Sequence, residues 1–225
     1  MTFTPKFYAK ENILLLNEYR QAFSNAFLTL DTSYTEGYKN ITSTKTSGSR
    51  NHIFGYLDLN LNEKDSYESK LSFKLERTSN STYFRVHDIN TALVKAENTN
   101  LENQIEYNFN KDDTSLNIYA SVYEDLRQKK NSDKYEFVLP NIMYGKTFFT
   151  ENFGTLNFQS NAFYSNYETN KYKTFLTNDI IWSPTSHITK NGFINTLEGM
   201  LRNTNYEVKK TTDYKNESTV NEISG

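Results

Sequence analysis

Apolar and polar residues alternate one by one along most of this chain, and a period of two predicts β-strands. Over residues 67–76 one face reads Tyr67, Ser69, Leu71, Phe73 and Leu75, and the other reads Glu68, Lys70, Ser72, Lys74 and Glu76. Over 101–110, Leu101, Ile105, Tyr107 and Phe109 oppose Glu102, Gln104, Glu106 and Asn108. Residues 115–123 set Leu116, Ile118, Ala120 and Val122 against Ser115, Asn117, Tyr119, Ser121 and Tyr123. Residues 155–164 set Leu156, Phe158, Ala162 and Tyr164 against Thr155, Asn157, Gln159 and Asn161. Ala26, Leu28 and Leu30 run against Phe27, Thr29 and Asp31, and Ile53, Leu57, Leu59 and Leu61 against His52, Phe54, Tyr56, Asp58 and Asn60. Weaker alternation predicts strands over 2–8, 12–21, 135–146, 173–182 and 191–202. The sum is about eleven strands and no helix.

The clear segments run about nine to eleven residues, the length of a tilted strand that spans a bilayer and more than the usual soluble strand. Stretches 35–50 and 78–100, rich in Ser, Thr and Asn, read as long loops, while 62–66 and 111–114 read as tight turns. Long loops alternating with tight turns are the habit of outer-membrane barrels. A soluble sandwich also alternates, with its apolar face inside. Two features favour the barrel: apolar faces end in Tyr67, Tyr164 and Trp182, as aromatic residues do near headgroups, and the polar faces mix Asn, Gln, Ser and Tyr with paired Lys and Glu.

Composition removes other classes. Only 36% of the 225 residues are hydrophobic, and no run approaches the roughly 20 apolar residues of a spanning helix. Aromatics at 15% argue against disorder. A net charge of −2 gives no reason to expect nucleic acid as a partner. The absence of Cys excludes disulfides and thiolate metal sites within this sequence. Residues 2–10 hold no apolar signal-peptide core.

Four strings then carry a family resemblance. Thr4-Pro5-Lys6-Phe7-Tyr8, Glu11-Asn12-Ile13-Leu14-Leu15-Leu16 and Glu18-Tyr19-Arg20 resemble the opening of the barrel domain of the LptD family, the lipopolysaccharide-assembly or organic solvent tolerance proteins. Ser79-Asn80-Ser81-Thr82-Tyr83-Phe84 is similar to that family's Ser-Asp-x-Ser-Tyr-Phe segment. Tyr123-Glu124-Asp125-Leu126, followed by residues 132–140 ending in Leu139-Pro140, is similar to its aromatic strand with proline, and Gly154-Thr155-Leu156-Asn157 to the strand after it. The strings keep the family's order from about Thr2 to Arg202. The Asn-, Lys- and Tyr-rich composition is like that of alphaproteobacterial members.

The resemblance implies an all-β, antiparallel up-and-down transmembrane barrel, of which about eleven strands are expected here. It also implies residence in the outer membrane of a Gram-negative cell. The activity implied is transport of lipopolysaccharide into the outer leaflet through a lateral gate, with no enzymatic step and no cofactor. The partners implied are lipopolysaccharide, an LptE-like plug lipoprotein, and a periplasmic Lpt bridge that draws energy from an inner-membrane ATPase. Residues 1–225 lack counterparts of the family's N-terminal jellyroll and of the C-terminal half of its barrel, so the chain is expected to be a fragment.

Pro5 matches the second-strand proline of the family's gate, where missing ladder donors weaken the seam. Its plainer reading is a proline tolerated at a strand start or sheet edge. Glu18 and Arg20, two apart, share a strand face, as do Glu68, Lys70, Lys74 and Glu76, and all six read as polar lumen residues. His52, His87 and His187 have neither metal-ligand spacing nor a legible nucleophile–base–orienter set. The alternative readings are another outer-membrane barrel, such as a porin or transporter, and a glycan-binding β-sheet module.

Overall fold

The computed structural model describes residues 1–9, 11–39, 45–62, 67–168, 171–211 and 220–225. Along them the chain forms β1 (Thr2–Tyr8), β2 (Glu11–Ala22), β3 (Ala26–Lys39), β4 (Lys45–Asn60) and β5 (Glu68–Thr78). The single helical turn α1 (Tyr83–Val86) precedes β6 (Asn100–Lys111) and β7 (Thr114–Asp125). A second turn, α2 (Asn131–Lys134), leads into β8 (Tyr135–Thr150), β9 (Gly154–Tyr167) and β10 (Lys171–Ser183). The short β11 (His187–Ile188) and β12 (Ile194–Asn195) precede β13 (Gly199–Lys209) and β14 (Val220–Ser224).

Twelve strands make one antiparallel sheet in which chain neighbours are sheet neighbours: β1 to β10 in order, then β13 and β14. Among the described residues the strands β11 and β12 pair only with each other. The sheet is not closed, and β1 and β14 stand at the two ends of the order.

Three expectations need correction. Residues 35–39 and 45–50 are strand rather than loop: β3 and β4 continue into them and pair, Thr35 with Arg50, Glu36 with Ser49 and Lys39 with Lys45, across an irregularity between Glu36 and Tyr38, while residues 40–44 lie outside the described residues. A backbone ladder needs no apolar side chains, so a polar strand end leaves no alternation to read. For the same reason β2 to β10 run from 11 to 16 residues rather than nine to eleven. The strand expected at 191–202 is displaced: β13 begins at Gly199 and continues to Lys209, and β14 pairs with it through Arg202–Ser224 to Tyr206–Val220. Residues 203–207 (Asn-Thr-Asn-Tyr-Glu) are too polar to show a strand period.

Other expectations hold. Residues 79–99 form no strand and carry α1. The turn at 111–114 joins β6 to β7 through Asp112, which adopts φ 45, a left-handed conformation that aspartate tolerates better than most residues. The turn expected at 62–66 lies, from residue 63 on, outside the described residues, as do residues 212–219 of the tail.

The chain divides into two compact units. Unit 1 holds Met1–Leu61, Leu71–Ile105 and Ser121–Glu136; unit 2 holds Asn62–Lys70, Glu106–Ala120 and Phe137–Gly225. In unit 1 the register puts Pro5, Leu15, Tyr34 and Ile53 on one face of β1–β4, and that face is open: Leu15, Tyr34 and Ile53 are all exposed. The opposite face carries Leu14, Leu16, Asp31, Ser33, His52 and Phe54, and these are buried. Residues 79–99 share their core: Tyr83, Phe84, Ile89 and Val94 are all at most 2% exposed. Apolar side chains on an otherwise polar face, Leu14, Leu16 and Phe54, meet the apolar residues of the insert.

Unit 2 is two-faced in the same way. Leu156 pairs with Trp182, Phe158 with Ile180 and Ile180 with Leu201, on a face where Leu156, Ile180, Trp182 and Leu201 are exposed. Asn157, Gln159, Asn161, Thr177, Asp179 and Arg202 occupy the other.

Gly154 opens β9 at φ +79, and a Cβ there would lie 2.2 Å from the backbone oxygen of Ser183. Both the conformation and the contact demand glycine. Its neighbour Phe153 accepts a hydrogen bond from Trp182 Nε1 at 2.7 Å. Gly154→Ala should destabilise the fold by more than about 1 kcal/mol. The measurement is urea unfolding followed by the fluorescence of Trp182, the single tryptophan; an unchanged midpoint would refute the strain.

Candidate functional site

Register, not sequence proximity, assembles the polar side chains of each unit. In unit 1, Asp31 and Ser33 stand two apart on β3 and so share a face, and Ser33 lies directly across from His52 on β4. Ser33 Oγ is 2.5 Å from His52 Nδ1, and His52 Nε2 is 3.1 Å from Asp31 Oδ1. Tyr83 OH sits 2.8 Å from the same Ser33 Oγ. Thr91 Oγ1 donates to the other oxygen of Asp31, and also accepts from the backbone N–H of Val94 at 3.0 Å. The chain of contacts therefore ties two strands to both halves of the 79–99 insert. Tyr8 and Lys6 add bonds to the carbonyls of His87 and Asp88, at 3.1 and 2.8 Å.

The serine, histidine and aspartate are the residue types of a hydrolase triad, a set that the sequence did not reveal. The surroundings argue against that use. Asp31, Ser33 and His52 are buried, and Ser33 is engaged by Tyr83 as well as His52. Phe54 and Phe84 pack edge-on against the imidazole, each with centroids 5.5 Å away. The arrangement satisfies buried polar groups and holds the insert down. Burial pushes the Tyr83 phenol up to about 12, with the Ser33 hydrogen bond acting in the opposite direction.

A second polar network in unit 1 contains residues singled out from the sequence. Lys74 Nζ lies 2.6 Å from Glu102 and 3.2 Å from Glu76. Tyr56 OH donates to Glu76 at 2.5 Å, and Glu76 accepts the backbone N–H of Glu102 at 2.8 Å. Glu18 and Arg20 share the polar face of β2 with Nε–Oε1 at 2.7 Å, but Arg20 is more than half exposed. An exposed pair of this kind contributes at most about 1 kcal/mol. Glu68 and Lys70 precede Lys74 and Glu76 on β5 but belong to unit 2. Pro5 lies within β1, an edge strand of the sheet, opposite Leu15.

Unit 2 holds an open polar groove. Gln159, Asp179 and Arg202 form one row across β9, β10 and β13, and Asn161, Thr177 and Thr204 form the next. Arg202 grips Asp179 with two hydrogen bonds of 2.7 Å. Asn117 donates to Glu106 at 2.6 Å and to Asn108 at 2.5 Å. All of these side chains except Thr204 and Glu106 border a groove of about 540 Å³, continued by one of about 260 Å³ toward Asp112 and Asp113. Gly145 helps to open it, since a Cβ there would stand 2.7 Å from Ser115 Oγ. Next to the groove, on the same face, Phe163, Phe175 and Tyr206 stack with centroids 5.1 and 5.6 Å apart. With Asp179 matched by Arg202 and much of the remaining lining made of amides and hydroxyls, the groove suits an uncharged, hydroxyl-rich ligand.

The chain matches no protein-family model and no curated protein. Among the described residues no group of three or more His, Asp or Glu could hold a metal ion.

Tyr83→Phe removes one hydroxyl and should cost about 1 kcal/mol. His52→Ala leaves Asp31 and Ser33 short of a partner and opens a cavity, and should cost about 3 kcal/mol. Urea midpoints measure both, and equal effects would contradict the central place given to His52. The raised Tyr83 pKa means that the folded state keeps a proton the unfolded state loses above about pH 10. Its contribution is thus complete below pH 10 and fades as pH rises toward 12. The urea midpoint should fall across that window in the wild type and fall less in Tyr83→Phe.

Proposed function

We propose that the chain is part of the wall of an outer-membrane β-barrel of the LptD kind, which passes lipopolysaccharide to the outer leaflet. The observation that carries the membrane reading is the two-faced sheet. In both units one face shows exposed large apolar side chains, such as Leu15, Tyr34 and Ile53 in unit 1 and Leu156, Ile180 and Trp182 in unit 2. Such a surface is a liability in water and a requirement in lipid. The other face is polar, with the amide-lined groove in unit 2. Strands whose middles alternate and whose ends are polar, as in β3 and β4, fit an apolar band narrower than the strands themselves.

The lipopolysaccharide reading rests on the resemblance of residues 2–202 to the LptD family. A wall with one hydrophilic face suits a cargo whose sugars travel through water while its acyl chains leave sideways into lipid. Pro5 on an edge strand is compatible with a weakened seam there. The bridge and the plug lipoprotein are the partners this reading requires. The groove by itself also favours a second reading, a glycan-binding sheet module, which would stay soluble without detergent.

Pro5→Ala, placed in the full-length protein of a cell that depends on it, should lower surface lipopolysaccharide several-fold at unchanged protein level. Outer-leaflet labelling of lipid A reads this, and undiminished labelling would remove Pro5 from the gate. The chain of 225 residues expressed alone should extract with detergent yet show no heat-modifiable band on unheated gels, because an open sheet lacks barrel closure. A detergent-resistant, compact monomer would contradict the open wall.

A further inference from the structure

The connection between β10 and β13 is itself a small, ordered hairpin. His187 pairs with Asn195 and Ile188 with Ile194. Its turn is closed by Thr189 N–H to Phe193 O and Gly192 N–H to Thr189 O, both 2.9 Å, with Gly192 at φ +81. Thr189 Oγ1 also accepts from Phe193 N–H at 3.1 Å. Yet its large apolar side chains are bare: Ile188, Phe193, Ile194 and nearby Leu197 are 65 to 69% exposed. A two-stranded hairpin with no core of its own is marginal in water, so a partner must cover it.

We propose that this hairpin dips into the interfacial layer of a phospholipid bilayer and anchors the neighbouring strand ends. Two observations select lipid over protein. The chain enters the hairpin at His187, a short step beyond Trp182, and leaves it shortly before Gly199–Leu201, and Trp182 and Leu201 belong to the exposed apolar face of unit 2. The hairpin is therefore continuous in the chain with the surface read above as facing lipid. Between β10 and β13 the formal charges at pH 7 are Lys190, at the turn, and Glu198, at the foot of the hairpin next to Gly199. A cationic tip beside bare apolar side chains matches a layer of phosphate headgroups over acyl chains.

The proposal extends the membrane reading of the sheet, and one preparation tests the two separately. The chain has no cysteine and one tryptophan, so a nitroxide on Phe193→Cys reports the hairpin while Trp182 reports the sheet. The protein is reconstituted in phosphatidylcholine–phosphatidylglycerol vesicles, with part of the phosphatidylcholine brominated on its acyl chains. Trp182 emission should fall by about half or more. The label at 193 should collide with oxygen more than with a water-soluble nickel complex. Quenched Trp182 with a nickel-accessible label overturns the hairpin anchor and leaves the membrane wall standing. A lipid-immersed label with unquenched Trp182 keeps the anchor and removes the wall. A label shielded from both reagents means that protein covers the hairpin, which overturns the proposal. Position 193 is exposed, so the cysteine leaves the fold intact, and a Lys190→Glu variant gives an independent reading. With anionic vesicles its binding should weaken several-fold, and equal binding would also overturn the proposal.

Discussion

Backbone pairing between chain neighbours is the constraint on which the rest of the molecule depends. In an antiparallel ladder, successive side chains must point to opposite faces, so each strand shows two faces whether or not both are useful. Ser33 meets His52 because Thr32 meets Ile53 one step earlier on the other side. Asp179 receives Arg202 because Ile180 meets Leu201. Slip either pair by one residue and the polar groups would exchange places with the apolar ones. The polar networks and the bare apolar surface are thus two consequences of one register.

Within that frame the polar face is handled differently in the two units. In unit 1 the 79–99 insert buries it, and burial raises the cost of leaving a polar group unpaired to about 1–3 kcal/mol each. Asp31 answers with both oxygens, one to His52 and one to Thr91. In unit 2 the groove stays open, and Asp179 keeps a bidentate partner in Arg202, which is itself about half exposed. The first arrangement holds an insert in place. The second leaves amides beside free volume, where a ligand can exchange with water.

How much of this could be read from the chain differs by feature. Alternation assigned the faces of β4 and β9 and put Asp31 and His52 on polar sides, because apolar periodicity survives in single strands. It missed the continuations of β3 and β4 and all of β14, because polar strand ends are held by backbone bonds that leave no side-chain signature. It paired Glu18 with Arg20, which lie two apart on one strand. It could not bring Ser33 to His52 or Gln159 to Asp179, because those meetings depend on the register between strands. The insert was legible as a non-strand stretch, but its role as a cover was not. That role follows from Leu14, Leu16 and Phe54 lying on the polar side, an irregularity in the alternation that only becomes meaningful once Tyr83 and Phe84 are seen against them.

The same ladder locates the weak points of the sheet. Among the described residues the end strands are its shortest: β1 has 7 residues and β14 has 5, against 16 in β4 and β8. An edge strand carries unpaired backbone groups that invite another strand, and short length or proline limits that hazard. Pro5 sits in β1, and the pairing of β1 with β2 shifts register between Lys6 and Tyr8. Lys6 and Tyr8, on either side of that shift, are also the residues that bond to the insert. The first edge is therefore held both by its ladder to β2 and by side chains reaching carbonyls of a cover, so β1 is tied to unit 1 from two directions.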